Sequence, residues 1–235
     1  MADTRKSWGM LSALVPVIAI LAITGAGLGS DGRPLYLVCK PLATILLLTL
    51  AWRAPQPVSA RYRWAIVVGL VWSLIGDVLL MFAGYFVFGL VAFLIAHLAY
   101  IYAFTDGVRL FARPLTSIAG LILAAVIVCL LWPGVPAALR IPVIAYAIAL
   151  ATMATQAITR VQVLAAVDGL AANSARLAAI GACLFMVSDT LLSYGRFRGE
   201  LPFAAVLVLS TYYIAQWFIA RSVSRAAWQP VGVFS

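Results

Sequence analysis

The stretch GACLFMVSDTLLSYG, residues 181–195, places an aspartate, Asp189, inside an otherwise apolar run. The whole apolar window, residues 175–195, has about the 20 residues that a helix needs to span a bilayer. A carboxylate near the bilayer centre costs about 2.5 to 3.5 kcal/mol on insertion scales. Intramembrane acids therefore usually face a bundle interior or a wet cavity, which makes Asp189 the first candidate functional residue.

A second stretch, SLIGDVLLMF at residues 73–82, surrounds Asp77 with the same pattern. In both stretches a small residue, Gly76 or Ser188, precedes the acid, and two leucines follow it two and three places later. The separation of the two aspartates is 189 − 77 = 112 residues. The chain therefore has two intramembrane acids in matching sequence settings.

The 112-residue offset predicts an internal repeat. Residues 73–104 and 185–216 share six identities in 32 positions, including the two aspartates and the pair Tyr100 and Tyr212. Four predicted spans separate the copies, so we expect a 4+4 parallel repeat whose axis runs along the membrane normal. The aspartates would then lie at matching depth in the outer half of the membrane.

The composition of the whole chain is typical of a polytopic membrane protein. Of its 235 residues, 65% are hydrophobic and 10% are charged, and the mean hydropathy is +1.09. We therefore predict an all-α fold, a bundle of eight transmembrane helices that forms a single transmembrane domain over residues 1–235 and contacts membrane lipids. The longest predicted loop is 161–174. The eight spans fall near residues 10–28, 35–52, 64–83, 86–104, 115–132, 140–158, 175–195 and 202–220.

The basic residues are scattered singly between the apolar runs, which argues against nucleic-acid binding despite a net charge of +9. On alternate sides of the spans, eleven basic residues share one side and four the other, with Lys40 inside a span. The positive-inside rule then predicts that both termini are cytoplasmic. With a single histidine, His97, and three dispersed cysteines, the chain cannot build a closed zinc shell, so we expect neither a metal nor an organic cofactor.

Three roles are open for Asp77 and Asp189: a general acid and base, a proton relay or cation site, and polar glue between helices. A purely structural role in helix contacts is less favoured, because Asn or Ser would form the same hydrogen bonds at a lower free-energy cost of insertion into the membrane. Two carboxyls buried together cannot easily both ionise, so one should keep its proton while the other stays charged. That arrangement suits acid and base chemistry.

Other polar residues lie in the second, third, fourth, seventh and eighth predicted spans. Lys40 either snorkels to the outer interface or pairs with an inward acid or a lipid phosphate. His97 is either a structurally hydrogen-bonded imidazole or, beside two acids, a proton donor or substrate anchor. One face of the fourth span, which we expect to point inward, carries Phe93, His97, Tyr100 and Phe104. The candidate substrate-binding residues are Lys40, Ser73, His97, Tyr100, Ser188, Tyr212, Tyr213 and Gln216. A serine nucleophile is not expected, because the chain has no G-x-S-x-G turn.

These residues form the motifs Lys40-Pro41, Ser73-x-x-Gly76-Asp77, Phe93-x3-His97-x2-Tyr100, Gly181-Ala182-x-x-Phe185-x-x-Ser188-Asp189 and Tyr212-Tyr213-x-x-Gln216. In order and combination they resemble the YhhN family of bacterial membrane proteins, whose animal relatives are lysoplasmalogenases. The resemblance implies an eight-span fold in the bacterial cell membrane and a lysophospholipid substrate. It also implies hydrolysis of the vinyl-ether bond of lysoplasmalogens to a fatty aldehyde and a glycerophospho-alcohol, with Asp77 and Asp189 as the catalytic pair.

The residues fit that chemistry. Vinyl-ether hydrolysis protonates the terminal carbon, passes through an oxocarbenium-like cation and adds water, so a protonated carboxyl can act as the acid. The ionised carboxyl can steady the cation and activate water, as in glycosidases. The alternative is a proton-coupled carrier of a small or lipid-like substrate, although corresponding spans lack the paired Gly/Pro breaks of discontinuous helices. A structural or assembly protein would leave the two acids unexplained.

Overall fold

The computed structural model of the chain describes residues 2–166 and 169–225, with side chains from residue 6 onward. This part of the chain forms eight α-helices, each long and apolar enough to span a membrane. They are α1 (Ala2–Gly27), α2 (Arg33–Trp52), α3 (Ala60–Leu80), α4 (Phe86–Phe104), α5 (Pro114–Leu131), α6 (Arg140–Leu164), α7 (Gly169–Phe197) and α8 (Ala204–Arg221). The chain is therefore an integral, multi-pass membrane protein, which confirms the predicted all-α bundle of eight spans.

Several helix starts follow directly from the sequence. Pro34 and Pro114 lie in the first turns of α2 and α5. Backbone N–H groups in a first turn have no partner within the helix, so the N–H that proline lacks costs no hydrogen bond there. Ser59 caps α3 by accepting a hydrogen bond from the backbone N–H of Tyr62 at 2.9 Å. The same hydroxyl donates to Asp106 in the α4–α5 connection at 2.5 Å, so the cap also ties two connections together.

The predicted loop over residues 161–174 is wrong. Helix α6 continues to Leu164 and α7 already begins at Gly169; residues 167 and 168 lie outside the described part. The polar residues that suggested a loop belong to the first turns of α7, where alanines with high helix propensity surround them. Ser174 is buried there and donates a hydrogen bond to the carbonyl oxygen of Ser222. Its hydroxyl therefore joins the start of α7 to the end of α8.

The two helix pairs that carry the aspartates pack closely through glycine. A Cβ added at Gly69 of α3 would lie 2.2 Å from the ring of Tyr100 on α4. A Cβ added at Gly181 of α7 would lie 2.7 Å from the carbonyl oxygen of Ala215 on α8. Small residues permit this close helix contact, which is the usual way that membrane helices associate. Both acids are thereby held on helices with a tightly packed neighbour.

The two halves of the bundle have similar helix neighbours. Helix α2 packs against α3 and α8, and α6 packs against α7 and α4. These are the equivalent contacts that a 4+4 repeat predicts. The outer helices differ, because α1 packs against both α2 and α8, whereas α5 packs mainly against α6. The parallel repeat and the cytoplasmic side of the termini stay predictions.

Candidate active site

Both aspartates line one cavity of about 540 Å³ between α1, α2, α3, α4, α7 and α8. Asp77 and Asp189 are both buried, whereas the cavity also reaches Arg196 and Glu200, which are exposed at the α7–α8 turn. Most of the other residues that line the cavity are apolar. A space with an apolar wall and a few convergent polar groups is typical of a small-molecule site, and the charged rim suits an amphipathic ligand.

Asp77 accepts hydrogen bonds from two other helices. The hydroxyls of Thr44 on α2 and Tyr212 on α8 each donate to Oδ2 of Asp77 at 2.6 Å. The ammonium of Lys40 on α2 lies 3.6 Å from Oδ1 and forms an ion pair. Two donors and a neighbouring cation stabilise the charged form of a carboxylate. These three groups therefore offset part of the cost of burying a charge on Asp77.

The structure favours the pairing interpretation of Lys40 over snorkelling. Only 5% of Lys40 is exposed, and its Nζ points towards Asp77 rather than towards the interface. Nζ also donates to the hydroxyl of Tyr36, one turn earlier on α2, at 3.2 Å. The hydroxyl of Tyr213 on α8 donates to the carbonyl oxygen of Lys40 at 3.5 Å, a long bond that ties α8 to this turn.

Asp189 has different surroundings. The hydroxyl of Tyr146 on α6 donates to its Oδ2. Nε2 of His97 lies 3.8 Å from the same oxygen, which is beyond hydrogen-bond range. Among the described residues, no lysine or arginine lies within 4 Å of this carboxyl. A buried carboxyl without a cation is more stable when protonated, so these surroundings favour the neutral acid.

The ring of His97 packs edge-on against Tyr146 and Phe185, with centroids 5.0 and 4.8 Å apart. Neither ring nitrogen has a hydrogen-bond partner within the described residues, so the interpretation of His97 as a hydrogen-bonded structural imidazole is not supported. The whole predicted face of α4, including Phe93, Tyr100 and Phe104, is buried. His97 therefore lies beside the acid without bonding to it.

A polar layer behind the cavity wall leads to Asp77. The hydroxyl of Tyr100 donates to Oε1 of Gln216 at 2.8 Å, and Ser73 lies 3.3 Å from the same hydroxyl. Nε2 of Gln216 then donates to the hydroxyl of Tyr212 at 3.4 Å, which in turn donates to Asp77. This series of bonds leaves the Tyr212 hydroxyl proton directed at the carboxylate.

The predicted site residues therefore divide into two groups. Those that line the cavity are Lys40, Asp77, Ser188, Asp189 and Tyr212; those behind its wall are Ser73, His97, Tyr100, Tyr213 and Gln216. Ser188 lines the cavity, but its hydroxyl already donates to the carbonyl oxygen of Val208 at 2.9 Å. Of the residues behind the wall, Tyr213 and Gln216 form hydrogen bonds with residues that line the cavity.

Three residues that bond to the acids or to Lys40 were not predicted: Tyr36, Thr44 and Tyr146. Tyr36 and Thr44 lie four residues before and after Lys40, so one face of α2 carries all three, and this spacing was visible in the sequence. Tyr146 is an isolated hydroxyl in the apolar run IPVIAYAIAL, a weaker signal of the same kind. Within the described residues, no group of three His, Cys, Asp or Glu side chains is placed to hold a metal ion.

Comparison with known proteins shows relatives along most of the chain. The model of the YhhN family matches residues 35–223. The chain is 33% identical over 190 residues to lysoplasmalogenase TMEM86A of Bos taurus, covering 78% of this chain and 75% of that protein. It is 33% identical over 193 residues to lysoplasmalogenase TMEM86B of Sus scrofa, with 80% and 74% covered. It is 32% identical over 206 residues to the lysoplasmalogenase of Mycobacterium tuberculosis, with 80% and 73% covered. No solved structure matches the chain.

Proposed function

This chain belongs to the YhhN family, and we propose that it hydrolyses the vinyl-ether bond of lysoplasmalogens to a fatty aldehyde and a glycerophospho-alcohol. The relatives named lysoplasmalogenase support an enzyme of this kind. One observation carries the proposal: two buried carboxyls line a single cavity, and only one of them has a cation beside it. An enzyme that must both give and accept a proton at neutral pH needs that difference.

The surroundings of the acids support different roles for them. Asp189 is the general acid, because among the described residues its bonded partner is the Tyr146 hydroxyl and no lysine or arginine lies within 4 Å. Asp77 is the ionised partner, because the ammonium of Lys40 and two hydroxyls stabilise the charge. General acid and base groups act best when their protonation states match the task, and these two differ in the required sense.

The reaction then returns both acids to their starting states. Asp189 gives its proton to the chain-side carbon of the vinyl ether, which leaves an oxocarbenium-like cation at the carbon bonded to oxygen. Water adds to that carbon and loses a proton to Asp77, giving a hemiacetal. As the hemiacetal collapses, Asp77 protonates the departing glycerol oxygen and Asp189 takes the proton of the hemiacetal hydroxyl. The negative charge of Asp77 steadies the cation in the first step.

The remaining cavity residues position these groups. Lys40 holds Asp77 in its charged form, and Tyr36 holds the ammonium of Lys40 in place. Behind the wall, Tyr100 and Gln216 direct the hydroxyl of Tyr212 at Asp77. A catalytic carboxylate that is oriented by fixed neighbours needs little rearrangement during the reaction, which is the main source of electrostatic catalysis.

The test uses purified full-length protein in detergent with two substrates, lysoplasmenyl-ethanolamine and the corresponding ester lysolipid. We expect fatty aldehyde from the first substrate and no fatty acid from the second. Folded Asp77→Asn and Asp189→Asn variants serve as matched controls and should release no aldehyde above background. Fatty acid from the ester would identify an esterase. The absence of both products from active-site-intact, folded protein would overturn the proposal and favour the carrier.

A further inference from the structure

We propose that an apolar crevice between α4, α5, α6 and α7 receives the hydrocarbon chain of the lysolipid. This inference rests on the proposed function, because it assigns a subsite to the same substrate. The crevice has a volume of about 40 Å³, and Asp189 lines it whereas Asp77 does not. Most of the residues that line it are apolar, including Leu90, Ile127, Val143 and Met186.

The crevice borders the main cavity at two residues. Phe86 and Asp189 line both spaces. Tyr146, which donates its hydroxyl proton to Asp189, lines the crevice alone. The carboxyl of Asp189 therefore stands at the boundary between a space with charged groups and a space that is nearly all apolar. A lysolipid has the same division along its own length.

The order of groups in the substrate matches this boundary. In a vinyl ether, the carbon that accepts the proton lies on the hydrocarbon side, and the ether oxygen and glycerol lie on the other. A molecule with its chain in the crevice presents the chain-side carbon to Asp189. Its glycerol then lies in the main cavity with Asp77, and its head group extends towards Arg196 and Glu200. These two rim residues are an exposed cation and anion that form no ion pair with a described residue, and they complement a zwitterionic head group.

Aromatic side chains form one wall where the crevice meets the main cavity, and helix α5 forms the wall of the crevice towards the bilayer. The ring of Phe86 packs edge-on against Phe197, with centroids 6.1 Å apart, and the guanidinium of Arg196 lies 4.8 Å above the Phe86 ring. On the other wall, α5 has only 22% of its span buried, the lowest value among the eight described spans. A volume of about 40 Å³ holds only the first methylene groups. The rest of the chain extends past α5 into the bilayer.

The proposal predicts a chain-length effect from filling the crevice. Ala147 of α6 lines the crevice but not the main cavity, and Ala147→Phe would occupy the space beside Asp189. We measure kcat/KM for lysoplasmenyl-ethanolamines with a long (hexadecenyl) chain and with a short (ethenyl) group, which has no methylene to place in the crevice. Ala147→Phe should lower the long-chain value at least about tenfold and the short-chain value much less, because each buried methylene is worth about 10- to 200-fold in specificity.

The matched control is Ala145→Phe on the exposed face of the same helix, which should leave both values unchanged. Ser193→Leu, at a half-buried position of the opposite wall, should repeat the chain-length effect if Ala147→Phe does not fold. Equal losses on both chain lengths in a folded crevice variant, or no loss at all, would overturn the inference while leaving the proposed function intact. A wild-type protein that forms no aldehyde would instead overturn the proposed function and the inference with it.

Discussion

Asp77 and Asp189 follow the same local sequence pattern, yet the folded chain surrounds them with different groups. Asp77 accepts bonds from Thr44 and Tyr212 and pairs with the ammonium of Lys40. Asp189 accepts a bond from Tyr146, and among the described residues no lysine or arginine lies within 4 Å of it. Two acids of equal sequence setting can therefore hold different protonation states, because neighbouring helices rather than flanking residues supply the compensating charge.

The difference comes from the equivalent helices of the two halves. Each acid is approached from the preceding helix of its own half and from the last helix of the other half. For Asp77 these are α2 and α8, and for Asp189 they are α6 and α4. The layout is shared, but α2 carries Lys40 where α6 offers only a hydroxyl. Under the predicted repeat, a change of one charged residue would be a direct route from two similar acids to the proposed acid and base.

The largest expected effect comes from removing either carboxyl. Asp77→Asn and Asp189→Asn should each lower turnover by a factor on the order of 10³ or more, since general acid and base steps contribute about 10²- to 10⁴-fold each. The double variant should be little worse than either single one, because groups that act as a unit are strongly non-additive. Aldehyde release from lysoplasmenyl-ethanolamine measures all three. A folded single variant with near-normal turnover would remove that aspartate from the mechanism.

The same variants should differ in stability, which tests the comparison independently of activity. Asp77→Asn leaves the buried ammonium of Lys40 without its counter-ion and should destabilise the fold by about 3 kcal/mol, as for other broken buried pairs. Asp189→Asn removes an acid that has no cation, so its thermal transition in detergent should stay near that of the wild type. Equal destabilisation by both substitutions would contradict the assigned charge states.

Removing the cation should have the next largest effect. Lys40→Met leaves Asp77 with only two hydroxyl partners, so turnover should fall on the order of 10²-fold, a typical loss for one preorganised electrostatic group. Lys40→Arg keeps the charge and should recover part of the activity. The matched control is Arg198→Met, which removes an exposed cation near the rim that does not line the cavity. A similar loss in the Arg198 variant would mean that net charge, rather than the ion pair, matters.

The two tyrosines that bond to the acids should differ in importance. Tyr146→Phe removes the single hydroxyl donor of Asp189, whereas Tyr212→Phe leaves Thr44 and Lys40 on Asp77. We expect turnover to fall about tenfold for Tyr146→Phe, since a hydrogen bond to a neutral group is worth up to about 1.5 kcal/mol. Tyr212→Phe should lower turnover less, because two partners of Asp77 remain. Steady-state aldehyde release checks the order, and a reversed order would contradict the comparison.

The spans and the two acids could be predicted from sequence because both signals are local. A run of about 20 apolar residues is a membrane helix whatever its neighbours are, and an acid within it is conspicuous for its cost. The loop at residues 161–174 failed for the opposite reason. Its polar residues looked like a connection, but Ser174 is buried against Ser222, 48 positions later in the chain, and only the packed bundle shows this.

The division of roles between the acids could not be predicted, because it depends on contacts between distant spans. Lys40 and Asp77 lie on different helices, and snorkelling of Lys40 was an equally consistent interpretation of the sequence. The face of α2 with Tyr36, Lys40 and Thr44 is visible in the sequence, but the helix that it meets is not. The side of the cavity from which Tyr146 approaches is set by the packing of α6 against α7.

The smallest expected effect is at His97, where the comparison can be sharpened most. Its Nε2 lies 3.8 Å from the carboxyl of Asp189, too far for a hydrogen bond, and its ring is packed between Tyr146 and Phe185. An uncharged His97 ring in this position fills space but does not stabilise a charge on Asp189. In this respect Asp189 differs from Asp77, which has the ammonium of Lys40 beside it. His97→Leu preserves much of the volume and should lower turnover less than about tenfold, with little change in thermal stability, as for other volume-conserving substitutions. If His97 instead supplied the proton, the turnover of His97→Leu would fall as far as that of Asp189→Asn, and the turnover of the double variant would be no lower than that of either single variant. That result would make His97 on α4, rather than Asp189 on α7, the general acid, and Asp189 would then orient the His97 ring.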